Sequence, residues 1–177
     1  MLSIKEYSTP PSLRRIKPDV LNEYCNMRTL RLNEGLTELC PDKIGRDVHG
    51  VFEKCTFKRV IFPRGLTRIG LRAFYGCPIS SLALPEGLET IEDYAFYSTS
   101  ITELDIPGTM KRIGQRAFAR EPYHATQLRR VTLVPVLRRK ENGDVDECYE
   151  DIKIDHTAFD FCGVEAIFYS EKLNESA

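Results

Sequence analysis

The residues of this sequence best suited to hold a metal or act as nucleophiles are its cysteines and histidines. No two cysteines have C-x-x-C spacing, and the histidines are scattered along the chain. A structural zinc site uses ligands at short, regular spacings, so the sequence does not predict one. These residues are Cys25, Cys40, Cys55, Cys77, Cys148, Cys162, His49, His124 and His156.

Carboxylates are the other groups that could do chemistry. The acidic run 144–151 lacks the glycine and the ligand spacing of an EF-hand calcium loop. Glu103 and Asp105 fall on a predicted open face, where nothing would desolvate them as an acid/base pair requires. No G-x-S-x-G, P-loop, G-x-G-x-x-G or H-E-x-x-H motif occurs. We therefore predict no enzymatic activity, no metal and no cofactor.

Size and charge narrow the class of protein further. The 177 residues, 42% of them hydrophobic, are enough for one sizeable core. A net charge of −1 argues against binding to nucleic acid or to an anionic membrane surface. The apolar stretches are far shorter than the roughly 20 residues of a transmembrane helix, and residues 1–7 lack the apolar centre of a signal peptide. We expect a cytoplasmic location for the chain as given, and the cell surface if a leader has been trimmed.

A repeat of 22 residues organises the chain. Segments 57–78, 79–100 and 101–122 share two hydrophobic residues two positions apart, a proline and an Ala-Phe pair. Looser copies with insertions flank them, and Val51-Phe52 takes the Ala-Phe place upstream. Such a fixed period is the signature of a stacked repeat protein.

The spacing within a unit predicts its local structure. Leu82 and Leu84 alternate with polar or small residues, which indicates a short strand with one buried face. The following proline ends the strand, and Leu88 and Ile91, three apart, predict a helical or 3₁₀ return. One unit cannot bury its own apolar face, so neighbouring units must stack with their strands in a parallel sheet.

The units resemble the BspA-type leucine-rich repeat, through the strand, the proline, Ile69-Gly70, Ile113-Gly114 and the Ala-Phe pairs. The resemblance covers residues 27 to about 169. It implies an α/β repeat solenoid of mostly short parallel strands, with the sheet on the concave face and irregular or 3₁₀ returns on the convex face. It also implies a binding role in interaction or adhesion. Glu92 replaces the glycine, and Thr99 and Glu121 replace the closing cysteine, so we expect looser closing turns in those two units.

The chain divides into an N-terminal cap (1–26), a repeat array (27–169) and a tail (170–177). Asp19 is positioned to cap a short helix ending at Tyr24. An insertion near 138–151 contains Asn142-Gly143, which predicts a protruding hairpin. This hairpin either grips a partner or is a solvated decoration.

Three cysteines, Cys55, Cys77 and Cys162, each follow a repeat phenylalanine by three positions. We interpret them as small apolar side chains that fill the closing turn. A disulfide between Cys55 and Cys77 is the alternative.

The residues that flank the buried strand positions should form the outer surface of the concave sheet. We predict that a protein partner binds there, because solenoids use this concavity and its charges suit partner carboxylates and amines. An ordinary solvated sheet face is the competing interpretation. The predicted contact residues are Arg31, Arg59, Ile61, Ser81, Ala83, Glu103, Asp105, Arg130, Thr132 and Phe168, with Arg138, Arg139 and Lys140 of the hairpin as a side clamp. Thr29 and Ala166 are the other outward-facing positions of these strands.

Two alternatives to partner binding on the concave face are compatible with the sequence. In the first, the chain is a fragment of a cell-surface adhesin. In the second, it is an assembly subunit that pairs with a second copy through its exposed C-terminal strand edge.

Overall fold

The computed structural model describes residues 6–16, 27–40, 49–122, 128–140, 144–148, 151–164 and 167–169. In these ranges the regular structure consists of short β-strands, and no helix is present. Successive units stack so that parallel strands from neighbouring units pair. The predicted repeat solenoid is therefore confirmed.

The described strands are, in chain order, β1 (Glu6–Ser8), β2 (Thr29–Arg31), β3 (Glu38–Leu39), β4 (Arg59–Ile61), β5 (Arg68–Ile69), β6 (Thr90–Ile91), β7 (Glu103–Ile106), β8 (Arg112–Ile113), β9 (Arg130–Leu133), β10 (Val136–Arg139), β11 (Val145–Cys148), β12 (Lys153–Ile154) and β13 (Ile167–Tyr169). Except in the unit 79–100, the first described strand of each unit belongs to a row that we call the front ladder. It consists of two parallel sheets, β1-β2-β4 and β7-β9-β13. Its outer face is the surface predicted to be concave.

The returns form a second row, the return ladder, in the order β3-β5-β6-β8-β12. Its strands are parallel, and Ile69, Ile91 and Ile113 stand in register and are buried. The prediction of a helical or 3₁₀ return is wrong in these units. A single turn, closed by the hydrogen bond from Leu88 N to Pro85 O (3.0 Å), is followed by an extended pair, and this combination also spaces two buried residues three apart.

The Ala-Phe segments form a third set of contacts between units. Phe74 N donates to Ala95 O and Phe96 N to Ala117 O, each at 2.7 Å. These bonds point toward the next unit, whereas in the return ladder Gly114 N donates back to Ile91 O (2.9 Å). Each central unit is therefore hydrogen-bonded to both neighbours at separate places.

A stack of phenylalanine rings runs through the core. Ring centroids are 5.3, 5.2, 5.2 and 5.6 Å apart along the series, and the rings are within 21° of parallel. The series is Phe52, Phe74, Phe96, Phe118 and Phe159. Phe52 confirms that Val51-Phe52 takes the Ala-Phe place.

The closing-turn cysteines behave as small core side chains. Cys77 is fully buried and donates from Sγ to Phe52 O of the preceding unit (2.8 Å); Cys162 donates likewise to Phe118 O (3.0 Å). Burial raises the pKa of Cys162 to about 11, which keeps the thiol protonated as a donor. No disulfide joins Cys55 to Cys77 in the described structure. Thr99 is also buried, but its hydroxyl bonds to Phe96 O inside its own unit, so one bond between units is missing there.

Several predictions concern the ends of the array. β1 pairs with β2, which adds a strand before the first repeat, and β13 pairs with β9 as the predicted last strand. The capping role of residues 1–26 stays a prediction. The predicted helix from Asp19 to Tyr24, the tail 170–177 and the Asn142-Gly143 turn lie outside the described residues.

Candidate functional site

The first half of the front ladder aligns the predicted basic and small residues. Arg59 lies between Thr29 on β2 and Ser81, with which it forms an isolated parallel bridge. Arg31 stands opposite Ile61 in the same pair of strands. Arg31, Arg59 and Ser81 are exposed, so the alternation of the strands turns these side chains outward as predicted.

The second half carries the acidic pair. Glu103 stands opposite Arg130, and Asp105 stands opposite Thr132. Glu103, Asp105 and Arg130 are exposed, and Thr132 is half-buried. Phe168 pairs through its backbone with Thr132, while its side chain and Ala166 lie outside the described structure.

Charges on the return side of the molecule neutralise one another. Arg68 pairs with Glu92 and lies 3.9 Å from Glu38, and the hydrogen bond to Glu92 raises its pKa. Three further pairs join neighbouring units: Arg112 to Asp93 (3.2 Å), Lys111 to Glu89 (2.9 Å) and Arg72 to Glu53 (2.7 Å).

The outer face of the front ladder differs. Within the described ranges no ion pair involves Arg59, Glu103, Asp105 or Arg130, although Arg31 pairs with Glu6 (3.2 Å). Glu103 and Arg130 face each other in register without coming within ion-pair distance. These charges are therefore available to a partner.

The front ladder is interrupted at the unit 79–100. Ser81 is bridged only to Arg59, and neither Leu82, Ala83 nor Leu84 makes a backbone hydrogen bond to any described residue. The predicted strand around Leu82 and Leu84 is thus reduced to one bridging residue. Both leucines are half-buried, whereas their equivalents Leu104 and Ile106 are 1% and 0% exposed.

A cavity of about 670 Å³ opens at this interruption. Its lining includes the predicted residues Arg59, Ile61, Ser81 and Ala83. It also includes Phe62, Arg64 and Glu86, which the sequence reasoning missed. Phe62 is the strand position equivalent to Leu84 and was expected to be buried, whereas Arg64 and Glu86 follow the prolines, outside the strand pattern. Their repeat positions beside Pro63 and Pro85 are the signal that could have located them.

The predicted hairpin is confirmed by the antiparallel pairing of β10 with β11. Lys140 N donates to Asp144 O (2.8 Å), so three residues separate the last bonded pair. Lys140 Nζ also lies 3.5 Å from Asp146 Oδ1, and Arg138 faces Asp146 in register. Lys140 thus lies beside a carboxylate of the hairpin itself. Arg139 is the last residue of β10.

Among the residues that the structure describes, no group of three or more His, Cys, Asp or Glu side chains is arranged to hold a metal ion. No helix long and apolar enough to cross a membrane is found in the same ranges.

The stacked parallel ladders, the aligned phenylalanines and the 22-residue period define a leucine-rich-repeat solenoid. The family described as "BspA type Leucine rich repeat region (6 copies)" matches residues 48–137. The chain belongs to this BspA-type leucine-rich-repeat family.

The chain also has low similarity to a solved structure. A leucine-rich repeat protein from Bacteroides ovatus is 15% identical, with a TM-score of 0.35, over 93% of this chain and 55% of its own. The chain therefore spans about half the length of that protein. No curated protein matches the sequence.

Proposed function

We propose that this chain is a non-catalytic protein-binding module that holds its partner against the outer face of the front ladder. The observation that supports this function most is the contrast in charge pairing between the two ladders. Charges of the return ladder are paired between units, whereas Arg59, Glu103, Asp105 and Arg130 of the front ladder form no ion pair in the part of the chain that the structure describes. Oriented charges of this kind provide binding specificity when a partner supplies the complementary set.

Family membership supports the same class of function. BspA-type repeats are modules of interaction and adhesion and are typically non-enzymatic. Adhesion at a cell surface would use the same face with a different partner. The hairpin residues Arg138, Arg139 and Lys140 would contribute at the side of the face.

The test is affinity capture from a source lysate, followed by mass spectrometry, with the native chain and the variant Glu103→Arg/Asp105→Arg. Both residues are exposed, so circular dichroism should be unchanged. We expect the variant to lose the partner that the native chain retains. The hairpin control, Asp144→Arg/Asp146→Arg, changes the net charge equally. It should reduce capture of the partner less than the front-face variant does, because the hairpin contributes only at the side of the face.

Retention of the partner by the front-face variant would contradict the proposal. Loss from the hairpin control alone would move the binding site to the hairpin. A second candidate, pairing of two copies through the outer edge of β13, rests on that strand's pairing with β9 alone among the described strands. Light scattering that shows a monomer at high concentration would exclude this candidate.

A further inference from the structure

Three features meet where the front ladder is interrupted. They are a cavity, a stretch of backbone without hydrogen bonds in the described structure, and two cationic side chains. We propose that this interruption is a pocket for an extended acidic peptide segment of the partner, with one apolar side chain inserted in the cavity. This inference rests on the proposed function and specifies the chemistry of its partner.

The cavity accounts for the apolar side chain. Its volume of about 670 Å³ lies within the range of sites that bind small ligands. Ile61 and Phe62, both half-buried, and Leu84 supply apolar walls. Ser81 and Ala83 are small and leave the entrance open. The Phe62 ring is held by an edge-to-face contact with Phe74 at 5.8 Å, so this wall is fixed.

The backbone of the interruption accounts for the extended conformation. The amide and carbonyl groups of Leu82, Ala83 and Leu84 make no hydrogen bond within the described structure. An extended chain laid beside them can supply the missing hydrogen bonds, as in recognition by strand addition. Ala83 is exposed, which gives such a chain access.

The charges account for the acidic character. Arg59 and Arg64 line the cavity, and in the described ranges neither guanidinium has an ion pair or a side-chain hydrogen bond. Among the described residues of the lining, Glu86 alone carries a negative charge. Two unpaired guanidiniums beside an apolar cavity favour a carboxylate next to an apolar side chain, because Arg binds carboxylates in a fixed bidentate geometry.

Synthetic decapeptides test the proposal directly. Four labelled peptides combine a central phenylalanine or serine with flanking aspartates or flanking lysines, and fluorescence anisotropy measures their binding to the full chain. We expect the aspartate–phenylalanine peptide to bind at least tenfold more tightly than the other three. Arg64→Glu should weaken the affinity for the aspartate–phenylalanine peptide at least tenfold. Ala83→Leu should weaken it by a similar factor, because the leucine side chain occupies cavity space.

Arg129→Glu is the matched control, because Arg129 is exposed and lies outside the cavity lining. It should leave the affinity unchanged, and circular dichroism should show that all three variants are folded. Equal binding of all four peptides, no binding of any, or equal binding to the native chain and both cavity variants would overturn the proposal.

Affinity capture from lysate distinguishes binding in the cavity from binding elsewhere on the front face. If Glu103→Arg/Asp105→Arg loses the partner while Arg64→Glu and Ala83→Leu retain it, the front face binds but the cavity does not. If all three variants retain the partner, both proposals fail.

Discussion

At the residue scale, the glycine of the Ile-Gly pair is explained by the close approach of neighbouring units. A Cβ added to Gly70 would lie 2.7 Å from Leu39 O and 2.9 Å from Cys40 Cα. A Cβ on Gly114 would lie 2.7 Å from Asp93 N. These contacts are with backbone atoms, which cannot move without disturbing the return ladder.

In the unit that has Glu92 at the glycine position, the glutamate side chain bonds to the preceding unit. Its carboxylate accepts from Leu71 N (2.7 Å) and from Arg68 Nε (2.9 Å) of the preceding unit. The expected loosening at this position is therefore offset by bonds that glycine cannot make.

We predict that Gly70→Ala lowers the free energy of unfolding by about 1–3 kcal/mol, the usual cost of overpacking. Urea denaturation followed by circular dichroism measures the change. Gly65→Ala is the control, because nothing lies within 4 Å of a Cβ there, and it should stay near the native value. Equal effects of the two substitutions would show that close approach is not the reason for the glycine.

At the element scale, the phenylalanine stack connects units whose strands are only two to four residues long. Such short strands provide few hydrogen bonds, so much of the stabilisation comes from buried side chains. Stacked aromatic pairs contribute roughly 0.5–1.5 kcal/mol each beyond the area they bury. The ring at position 96 contacts two other rings of the series, Phe74 and Phe118.

We predict that Phe96→Ala costs about 3–5 kcal/mol, because it leaves a cavity in the middle of the stack. Phe161→Ala is the control: Phe161 is 51% exposed and should change stability by less than about 0.5 kcal/mol. Thermal and urea unfolding of both variants measure the difference. A loss below 1 kcal/mol for Phe96→Ala would indicate that the strands, and not the stack, hold the units together.

At the scale of the whole molecule, stability should depend on contacts between neighbouring units. Hydrogen bonds run backward in the return ladder and forward in the Ala-Phe turns. A solenoid of this kind is stabilised by each unit and its adjacent interfaces, so a complete unit can be removed without changing the remaining contacts.

We predict that deletion of residues 79–100 leaves a folded chain, because Ile101 then takes the place of Ile79 and Phe118 can stack on Phe74. Its denaturant m-value should fall, because less surface is exposed on unfolding. The deletion also removes Ser81 and Ala83, so binding of the aspartate–phenylalanine peptide should be lost.

Deletion of residues 79–89 is the control, because it removes half a unit and shifts the 22-residue repeat out of alignment. It joins Pro78 to Thr90, which puts a return residue at a front-strand position, and we expect no cooperative unfolding transition. If both deletions unfold the chain, the stability of the array is not a sum of contributions from single units and their adjacent interfaces.

The sequence by itself determined the features that repeat within one unit. The period, most of the buried positions, the Ala-Phe core and the turn-filling role of Cys77 follow from local spacing, because every unit must bury the same face. Leu82 and Leu84 are among the exceptions, since they are only half-buried. The existence of the hairpin was also local, since the Asn142-Gly143 turn signal lies inside the insertion near 138–151, whereas its strands, Val136–Arg139 and Val145–Cys148, were placed only by the structure.

Only the tertiary structure decided the features that depend on contacts between residues of neighbouring units. The same spacing at Leu88 and Ile91 fits a helical turn or a turn with a strand, and the parallel neighbours selected the strand. Arg68 pairs with Glu92, and Arg59 has no charge partner among the residues that the structure describes. Both facts follow from distances between units that no local pattern encodes. The cavity beside Ala83 exists because one strand fails to pair, which is a property of neighbouring units together.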